Sequence, residues 1–561
     1  MAYQLSPGVI WSEIDLTTIV PSLSTTAGGF AGDFDWGPVN KVMTISNEVE
    51  LVRWFGKPSQ NTFTSFFTAA NFLSYAQNLQ LVRAADLTKA NNATGGVDNI
   101  VIQNQDVYDL QYKDLSASAN TGPFAARYPG ELGNSIKVSM FSSANTTKFA
   151  QWEYSPNFNG PTGTSKWTED RQGANDEMHI IVVDAGGKFT GVPNTILEKF
   201  SYVSKASDAK NDDGSSNYYV NVIEDRSQYL YILKHPADVT NWGSESLTTT
   251  FDTANTVTSR LSGGSVGTPT TGDLTQAYDL FNNIDKVDVS LLMTGPHDST
   301  VAEYVVDNIA ESRKDLVTFL SPQMDDVVNN QGGETLAIIA TKENYNPSNY
   351  AVMDSGWKKQ FDKYNKVYRW VPLNGDIAGL CAYTDMARDP WFSPAGLNRG
   401  LVKNVTQLAW SPNQTDRDNL YKNSINPVVT MQGLGTVLYG DKTMTNKPSA
   451  FDRINVRRLF ITLEKSISKA AKYSLFEFND EFTRSQFVAL VEPFLRDVKG
   501  RRGIFDYKVV CDETNNTPEV IDSNRFVGDI YIKPARSINF IQLNFVAVST
   551  GVAFSEIVGK F

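Results

Sequence analysis

The hydrophobic pattern is clearest near the C-terminal end of the chain. From Ile538 to Val548 the residues alternate, and one face is wholly apolar: Ile541, Leu543, Phe545 and Ala547. This period of two predicts a strand inside a sheet. A second strand pattern follows at 552–558, and no later segment can pair with it. This segment must fold back onto its own domain or add to the sheet edge of a neighbouring molecule.

The N-terminal segment is also extended and without a local partner. A turn signal at 6–8 is followed by an extended pattern that runs to Pro21. We predict that both terminal segments pair with strands of adjacent copies, and we define 1–21 as the N-terminal arm and 549–561 as the C-terminal arm. The residues predicted to make these contacts are Val9, Ile10, Trp11, Ile14, Val552, Phe554 and Ile557.

Helical and strand periods alternate on both sides of a long middle region. Residues 22–97 are predicted to form the first part of an α/β core, with Ser46 capping a helix that stops at Gly56. Residues 265–440 are predicted to form an α/β domain with a mainly parallel sheet and helices on its faces. The predicted elements are helices over 46–55, 63–76 and 301–312 and strands over 79–84, 287–293, 317–320, 351–352 and 368–371.

The region 98–264 has a different character. Strand-like runs at 135–141, 179–183 and 218–223 are separated by loops rich in Asn, Ser, Gly and Asp. We interpret it as a β-rich inserted outer region, with an exit linker at 261–267.

The last domain, predicted over 441–548, has two amphipathic helices. The first carries apolar residues at helical spacing between Val456 and Ala471, and the second does so between Phe487 and Leu495, with a possible kink at Pro493 and a stop at Gly500. The predicted fold class is therefore α+β multidomain. An α/β core is built from both chain ends and the middle, with the β-rich insertion and extended terminal arms.

Composition narrows the class of protein. The 561 residues are too many for one core, and 41% hydrophobic with 20% charged residues is typical of folded chains. A net charge of −12 argues against nucleic-acid binding.

Residues 1–13 lack the features of a secretory leader, and no apolar run is long enough to span a membrane, so we expect synthesis in the cytosol without membrane insertion. Cys381 and Cys511 match no metal-binding spacing and are expected to be reduced.

One part of this acidic chain is basic. Residues 450–504 contain eleven Lys and Arg against seven Asp and Glu. From the sequence alone, the favoured interpretation of the charged helix around Arg457 is a solvated face.

Two residues are candidates for a catalytic role. His297 stands before a possible capping box formed by Thr300 and Glu303, and a helix cap is favoured over a catalytic role. Ser265 matches the Gly-x-Ser-x-Gly pattern of hydrolases, but its flanks lack the strand and the helix that this turn requires. A linker is favoured there over a nucleophile.

Nucleotide and metal motifs are incomplete. Gly433 and Gly435 lack the third glycine of a dinucleotide site, and Gly187-Lys188 lacks the first glycine and the Ser or Thr of a P-loop. The pair Asp325-Asp326 could bind a cation, but a solvated loop is favoured. We expect no catalytic residue, no cofactor and no metal site.

A set of short motifs, taken in order along the chain, resembles the sheath proteins of contractile bacteriophage tails, and the T4-like group in particular. The residues that carry this resemblance are 6–9 with Glu13, 30–32, 36–38, 55–56, 261–264 before a helix and the strand at 287–293, 394–396, 425–427 and 528–558. The resemblance covers both ends and the middle of the chain and is weak over 98–264.

The resemblance implies a structural subunit of the virion, made in the host cytoplasm. Many copies would polymerise helically around a tail tube protein and contract to drive the tube through the host envelope, with baseplate and tail terminator proteins as further partners. It also makes the basic helix a candidate tube-facing surface: Arg453, Arg457, Arg458 and Lys465. The alternatives are a sheath of a genome-free contractile particle and, less favoured, an α/β hydrolase that uses Ser265.

Overall fold

A computed structural model of the chain describes residues 26–96, 99–113, 123–233 and 257–539. Both predicted arms, all seven of their predicted contact residues, and the strand predicted over 538–548, except for its first two residues, lie outside this part of the chain. The described residues divide into two compact units. The larger comprises 26–390 with 394–469, and the smaller comprises 391–393 with 470–539.

The larger unit is mixed α and β. Its strands are β1 (Gly28–Asp33), β2 (Met43–Ile45), β3 (Leu79–Ala84), β4 (Asp86–Asn91), β5 (Phe124–Ala126), β6 (Ile136–Phe141), β7 (Glu177–Asp184), β8 (Thr195–Ser204), β9 (Leu230–Ile232), β10 (Val257–Arg260), β11 (Ser265–Gly267), β12 (Leu291–Met293), β13 (Val317–Leu320), β14 (Ala351–Asp354), β15 (Trp357–Asp362), β16 (Val367–Pro372), β17 (Gln407–Leu408), β18 (Ile425–Asn426), β19 (Val428–Met431) and β20 (Gly435–Leu438). Its helices are α1 (Glu48–Phe55), α2 (Phe63–Leu73), α3 (Gln105–Val107), α4 (Thr146–Gln151), α5 (Lys166–Glu169), α6 (Tyr219–Arg226), α7 (Thr271–Asp279), α8 (Ser299–Tyr304), α9 (Glu311–Arg313), α10 (Met324–Val327), α11 (Glu334–Glu343), α12 (Asn374–Ala387), α13 (Gln414–Lys422) and α14 (Ile454–Ala471), whose last two residues belong to the smaller unit.

A seven-stranded sheet forms the centre of the larger unit, in the order β18-β14-β13-β12-β1-β3-β2. Every neighbouring pair is parallel except β2 with β3. Gly28 of β1 pairs with Leu79 on one side and with Leu291 on the other, so segments from before and after the insertion share one sheet. The predicted α+β class and the mainly parallel sheet are confirmed.

One predicted strand belongs to a different sheet. Residues 368–371 lie in β16, which forms an antiparallel hairpin with β15, and β15 also pairs with β17. The four-residue connection from Asp362 to Val367 is too short for the crossover that a parallel neighbour requires. Lys366 has a left-handed φ of 57° in this turn, which reverses the chain.

The insertion has its own hydrophobic core. Its main sheet is antiparallel, in the order β10-β6-β7-β8, and the predicted strands at 135–141 and 179–183 are β6 and part of β7. The prediction of a strand at 218–223 is wrong, because residues 219–223 belong to helix α6 and Tyr218 is its N-cap. Tyr219, Val222 and Ile223 are buried there at helical spacing, so burial on one helix face outweighs the β propensity of the side chains. The limits 98 and 264 remain an interpretation.

The smaller unit consists of helix α15 (Glu481–Gly500), strand β21 (Ile504–Val510), the short helix α16 (Pro518–Asp522) and strand β22 (Asp529–Pro534). Strands β21 and β22 form an antiparallel pair, and Tyr507 on β21 donates a hydrogen bond from its hydroxyl to the carbonyl oxygen of Glu492 on α15, at 3.3 Å. Helix α15 continues through Pro493 and ends at Gly500, as predicted. Residues 441–469 pack within the larger unit, where Ile454 and Ile461 join the core.

Helix α12 packs closely against α2 through two glycines. A Cβ atom at Gly375 would lie 2.5 Å from the carbonyl oxygen of Thr68, and one at Gly379 would lie 2.5 Å from the ring of Tyr75. The first of these contacts is with backbone, which cannot rotate away as a side chain can.

The variant Gly375→Ala should therefore lower the free energy of unfolding by about 1–3 kcal/mol, although alanine favours helices. The matched control is Gly272→Ala in the first turn of α7, where the nearest atom would be 3.7 Å away and a small stabilisation is expected. Urea unfolding followed by circular dichroism measures both changes. Equal stability of the two variants would contradict the close packing of α12.

Candidate functional site: the filled edge of the central sheet and the charged face of α14

Enzymes with parallel sheets bind their ligands at the carboxyl ends of the strands. In this chain that edge is occupied by the start of helix α12. Asn374 is fully buried, its backbone N–H donates to Ser321 Oγ at 2.9 Å, and its side-chain nitrogen donates to the carbonyl oxygen of Gly295 at 2.8 Å. Ser321 directly follows β13, and Gly295 lies two residues after the end of β12. The place where a substrate would bind is therefore filled by the protein's own hydrogen-bonded side chains.

Asp354, the last residue of β14, also lies buried at this edge. Its carboxyl oxygens accept hydrogen bonds from the backbone N–H of Gly356 at 2.9 Å and from Ser321 Oγ at 2.7 Å. Burial raises the pKa of Asp354 to about 8. A shifted pKa of this kind occurs in catalytic sites, but here the side chain faces buried partners of the same chain, which supports a structural role.

A buried ion pair lies beside this network. Lys358 Nζ is 2.9 Å from Asp376 Oδ1, and both side chains are fully buried. The ammonium also donates to the carbonyl oxygen of Lys403 at 2.8 Å, and the hydroxyl of Tyr75 donates to the same Asp376 oxygen at 3.0 Å. Burial raises the pKa of Asp376 and lowers that of Lys358, while their mutual attraction opposes both shifts. The pair connects β15, α12 and the segment that follows α2.

His297 is a structural residue. Its Nε2 is 2.8 Å from the carbonyl oxygen of Ala31, and its ring stacks on Phe30. Burial lowers the pKa of His297, so the ring is neutral at pH 7. The predicted capping box is wrong: helix α8 starts at Ser299, and its N-cap is Asp298, which accepts from the backbone N–H of Val301 at 2.9 Å.

Ser265 does not lie in a linker or in a hydrolase turn. It begins strand β11, which pairs with β4, and its hydroxyl donates to the carbonyl oxygen of Lys89 at 2.9 Å. The serine is thus held at a sheet edge without the following helix that the hydrolase turn needs.

The other weighed motifs have structural explanations. Asp326 caps α10 by accepting from the backbone N–H of Gln323, and it also accepts from the hydroxyl of Thr341. The glycines at 433 and 435 lie at the turn between β19 and β20. The backbone N–H of Lys188, which a phosphate would need, donates to buried Asp184 at 3.0 Å.

Among the described residues, no group of three or more potential metal ligands comes together, and no helix is long and apolar enough to cross a membrane.

The charged face of α14 is largely used inside the larger unit. Arg458 is 5% exposed; it forms an ion pair with Asp385 and donates to the carbonyl oxygen of Cys381 at 3.2 Å. Arg457 is 3% exposed, and its guanidinium lies between the rings of Tyr350 and Phe451.

Two further basic residues of this helix region are paired in the same way. Lys465 forms ion pairs with Asp288 at 2.8 Å and with Asp315 at 3.3 Å, and its side chain is 9% exposed. Arg453 pairs with Asp441 at 3.2 Å and donates to the hydroxyl of Tyr421.

The predicted tube-facing role of Arg457, Arg458 and Lys465 therefore does not fit this conformation, because their charged groups are buried against partners of the same unit. The ion-pair partners of Arg458 and Lys465 lie at least 73 residues away in sequence, so no local pattern could reveal them. The network around Asp376 was also missed. Its one signal in the sequence is that Asp376 is the single charged residue between Asn374 and Thr384.

Asp354 gives a testable pH dependence. Between its ordinary pKa of 3.8 and its raised value of about 8, the folded chain holds a proton that the unfolded chain has released. This residue therefore makes the free energy of unfolding fall as the pH rises through that range. The variant Asp354→Asn cannot ionise, so its stability relative to the native chain should improve by more than about 1.4 kcal/mol between about pH 5 and pH 8, which corresponds to one pKa unit.

The matched control is Asp213→Asn on an exposed loop, whose pKa is lowered by hydrogen bonds from Ser215, so that it titrates below this range. Chemical unfolding at several pH values measures the difference. If the difference in the free energy of unfolding between Asp354→Asn and the native chain is the same at all pH values, Asp354 is not buried as described.

Three sequence families match the chain in succession. The tail sheath protein Gp18 domain III N-terminal region matches residues 26–84, the phage tail sheath protein central domain matches 267–444, and the phage tail sheath C-terminal domain matches 446–547. The first two matches contain all seven strands of the central sheet. The unmatched residues between them, 85–266, include the insertion.

Whole-chain relatives and solved structures agree with these matches. The tail sheath protein of Vibrio phage KVP40 is 34% identical over 99% of this chain and 100% of its own length, and that of Enterobacteria phage T4 is 34% identical over 99% of each. The crystal structure of the Listeria innocua sheath tail protein Lin1278 has the same fold, with a TM-score of 0.53, 11% identity and coverage of 92% of this chain and 96% of that one. The contracted helical sheath of the anti-feeding prophage gives a TM-score of 0.50 at 13% identity, covering 97% of this chain and 99% of that one. This chain belongs to the phage tail sheath protein family.

Proposed function

We propose that this chain is the repeating subunit of a contractile tail sheath in a phage virion. Many copies polymerise helically around a tail tube and contract to drive the tube through the host envelope during genome delivery. The observation that carries this proposal is the 34% identity to the tail sheath proteins of phages KVP40 and T4 over 99% of the chain. Assembly takes place in the host cytoplasm, and the tube, the baseplate and a tail terminator are the partners.

The proposed activity is mechanical rather than enzymatic. The carboxyl edge of the central sheet is filled by Asn374 and its hydrogen-bond partners. The side chains of both catalytic candidates, His297 and Ser265, form hydrogen bonds with backbone carbonyl oxygens. The energy of contraction would then be stored in the lattice during assembly, without nucleotide hydrolysis.

The two arms are proposed as links between subunits. Strands β21 and β22 form a sheet of only two strands within the described residues, so each strand has an outer edge to which another strand can add. Main-chain hydrogen bonds from the arms of adjacent copies would hold the lattice together while the compact units move.

The direct test is electron microscopy of the purified protein with and without a tail tube protein. Regular hollow cylinders are expected, and a protein that stays monomeric under all conditions would overturn the proposal.

Deleting Gly551–Phe561 tests the C-terminal arm. The truncated protein should remain folded and soluble, with a thermal unfolding midpoint within about 2 °C of the native value, because the described units are untouched. It should no longer form cylinders. Continued polymerisation into regular cylinders, or failure to fold, would show that this segment is not an inter-subunit strand.

Replacing a loop of the insertion tests its proposed outer position. Residues 211–216 form an exposed turn closed by a hydrogen bond from the backbone N–H of Asn211 to the carbonyl oxygen of Ser215, at 2.9 Å. A Gly/Ser segment of equal length should leave cylinder formation unchanged. If a folded variant with this loop fails to assemble, the loop lies at a lattice contact and the outer placement is wrong.

A further inference from the structure

The segment that joins α14 to α15 exposes an unusual number of large apolar side chains. We call residues 473–482 the aromatic loop. Its exposed side chains are Tyr473 at 78%, Leu475 at 62%, Phe476 at 105%, Phe478 at 84% and Phe482 at 76%. Soluble proteins rarely leave such a concentrated group in water unless it binds a partner.

The conformation and charge of the loop support this interpretation. Phe476 has a left-handed φ of 70°, a backbone geometry that costs free energy for a residue with a side chain, and the residue is fully exposed. Between 473 and 482 the chain has Glu477, Asp480 and Glu481 but no Lys or Arg. The surface that fits this loop should therefore be basic and carry exposed apolar groups.

A surface of that description lies at the other end of α15. We call residues 496–505 the basic end. It contains four basic residues, and two of them, Arg496 and Arg502, are exposed and form no ion pair with any described residue. Phe505 beside them is 69% exposed. Arg and Phe side chains can bind an acidic, aromatic segment through ion pairs and cation–π contacts.

The two surfaces cannot meet within one molecule. Helix α15 has 20 residues, which places its ends about 30 Å apart. Because the helix is rigid, a contact between the aromatic loop and the basic end must join two copies. The surfaces differ from each other, so the contact is heterologous and can continue from copy to copy into an open polymer.

We propose that the aromatic loop of one subunit docks on the basic end of α15 of a second copy. The inference deepens the proposed function, on which it depends, by assigning a lattice contact within the smaller unit that is separate from the arms. Aromatic rings of the loop, led by Phe476, contact Phe505, and Glu477 and Glu481 face Arg496 and Arg502.

Cysteine cross-linking tests the contact in the full chain. The native cysteines Cys381 and Cys511 are buried, so they interfere little. One preparation carries Phe476→Cys and another carries Arg502→Cys. A disulfide-linked dimer should form in assembled mixtures of the two variants. Each variant alone should give at least tenfold less of this dimer. As a matched control, Leu434→Cys, at an apolar residue 54% exposed on the larger unit, should not cross-link with Arg502→Cys.

Four outcomes would overturn the inference. Dimers of Phe476→Cys alone would show that the loop binds itself. Cross-linking of Phe476→Cys to a tail tube protein, and not to Arg502→Cys, would assign the loop to the tube. Slow reaction of Phe476→Cys with a thiol reagent in the unassembled protein would show that the same chain covers the loop. Cylinders that form without the predicted cross-link reject this contact and leave the proposed function intact, whereas absence of cylinders in the native protein rejects the function itself.

Charge reversal provides a second, independent test. Arg496→Glu with Arg502→Glu should slow polymerisation at least tenfold at low salt, and adding Glu477→Arg with Glu481→Arg should restore it, because the opposite charges are exchanged. A thermal unfolding midpoint equal to that of the native protein would show that each variant changes assembly and not folding. If the fourfold variant polymerises no faster than the double variant, the two surfaces do not face each other.

Discussion

The larger unit depends on one topological constraint: strand β1 must pair with β12 although 257 residues separate them along the chain. The chain leaves the central sheet after β3, forms the whole insertion and must return beside the strand it left. Strands β4 and β11 meet this requirement, because they pair at the point where the insertion begins and ends. Asn91 strengthens this closure by donating to the carbonyl oxygen of Gly263 at 2.7 Å.

This arrangement suits a subunit that moves as a body. The insertion is joined to the sheet by paired strands rather than by a single flexible linker, and the core is tied together by buried polar contacts such as Lys358 with Asp376. Breaking such a pair leaves a buried charge without compensation, so the cost of distortion is high. A lattice of rigid units can then change by movement at its contacts, which we propose to be the terminal arms and the two ends of α15.

The sequence was most informative where one physical rule decides the structure. Apolar runs flanked by helices predicted the parallel sheet. The end of α15 was predicted at the right place, although the left-handed residue that ends it is Arg502 and not Gly500. Prediction failed where distant partners decide. The β-favouring residues at 219–223 form a helix because their apolar positions pack on the insertion's core, and Arg458 is buried because Asp385 lies beside it in the fold. The aromatic loop was overlooked although Phe476, Phe478 and Phe482 among acidic residues gave a visible signal in the sequence.

The central claim is that identical compact subunits form a helical sheath that contracts by sliding. Cryo-electron microscopy of one preparation, assembled around a tail tube and imaged before and after contraction is triggered, tests it most directly. The account predicts that the axial rise per ring decreases while the pairing of β1 with β3 and β12 stays the same in every subunit. A sheath that shortens by rearranging the central sheet, or one whose helical parameters do not change, would contradict it.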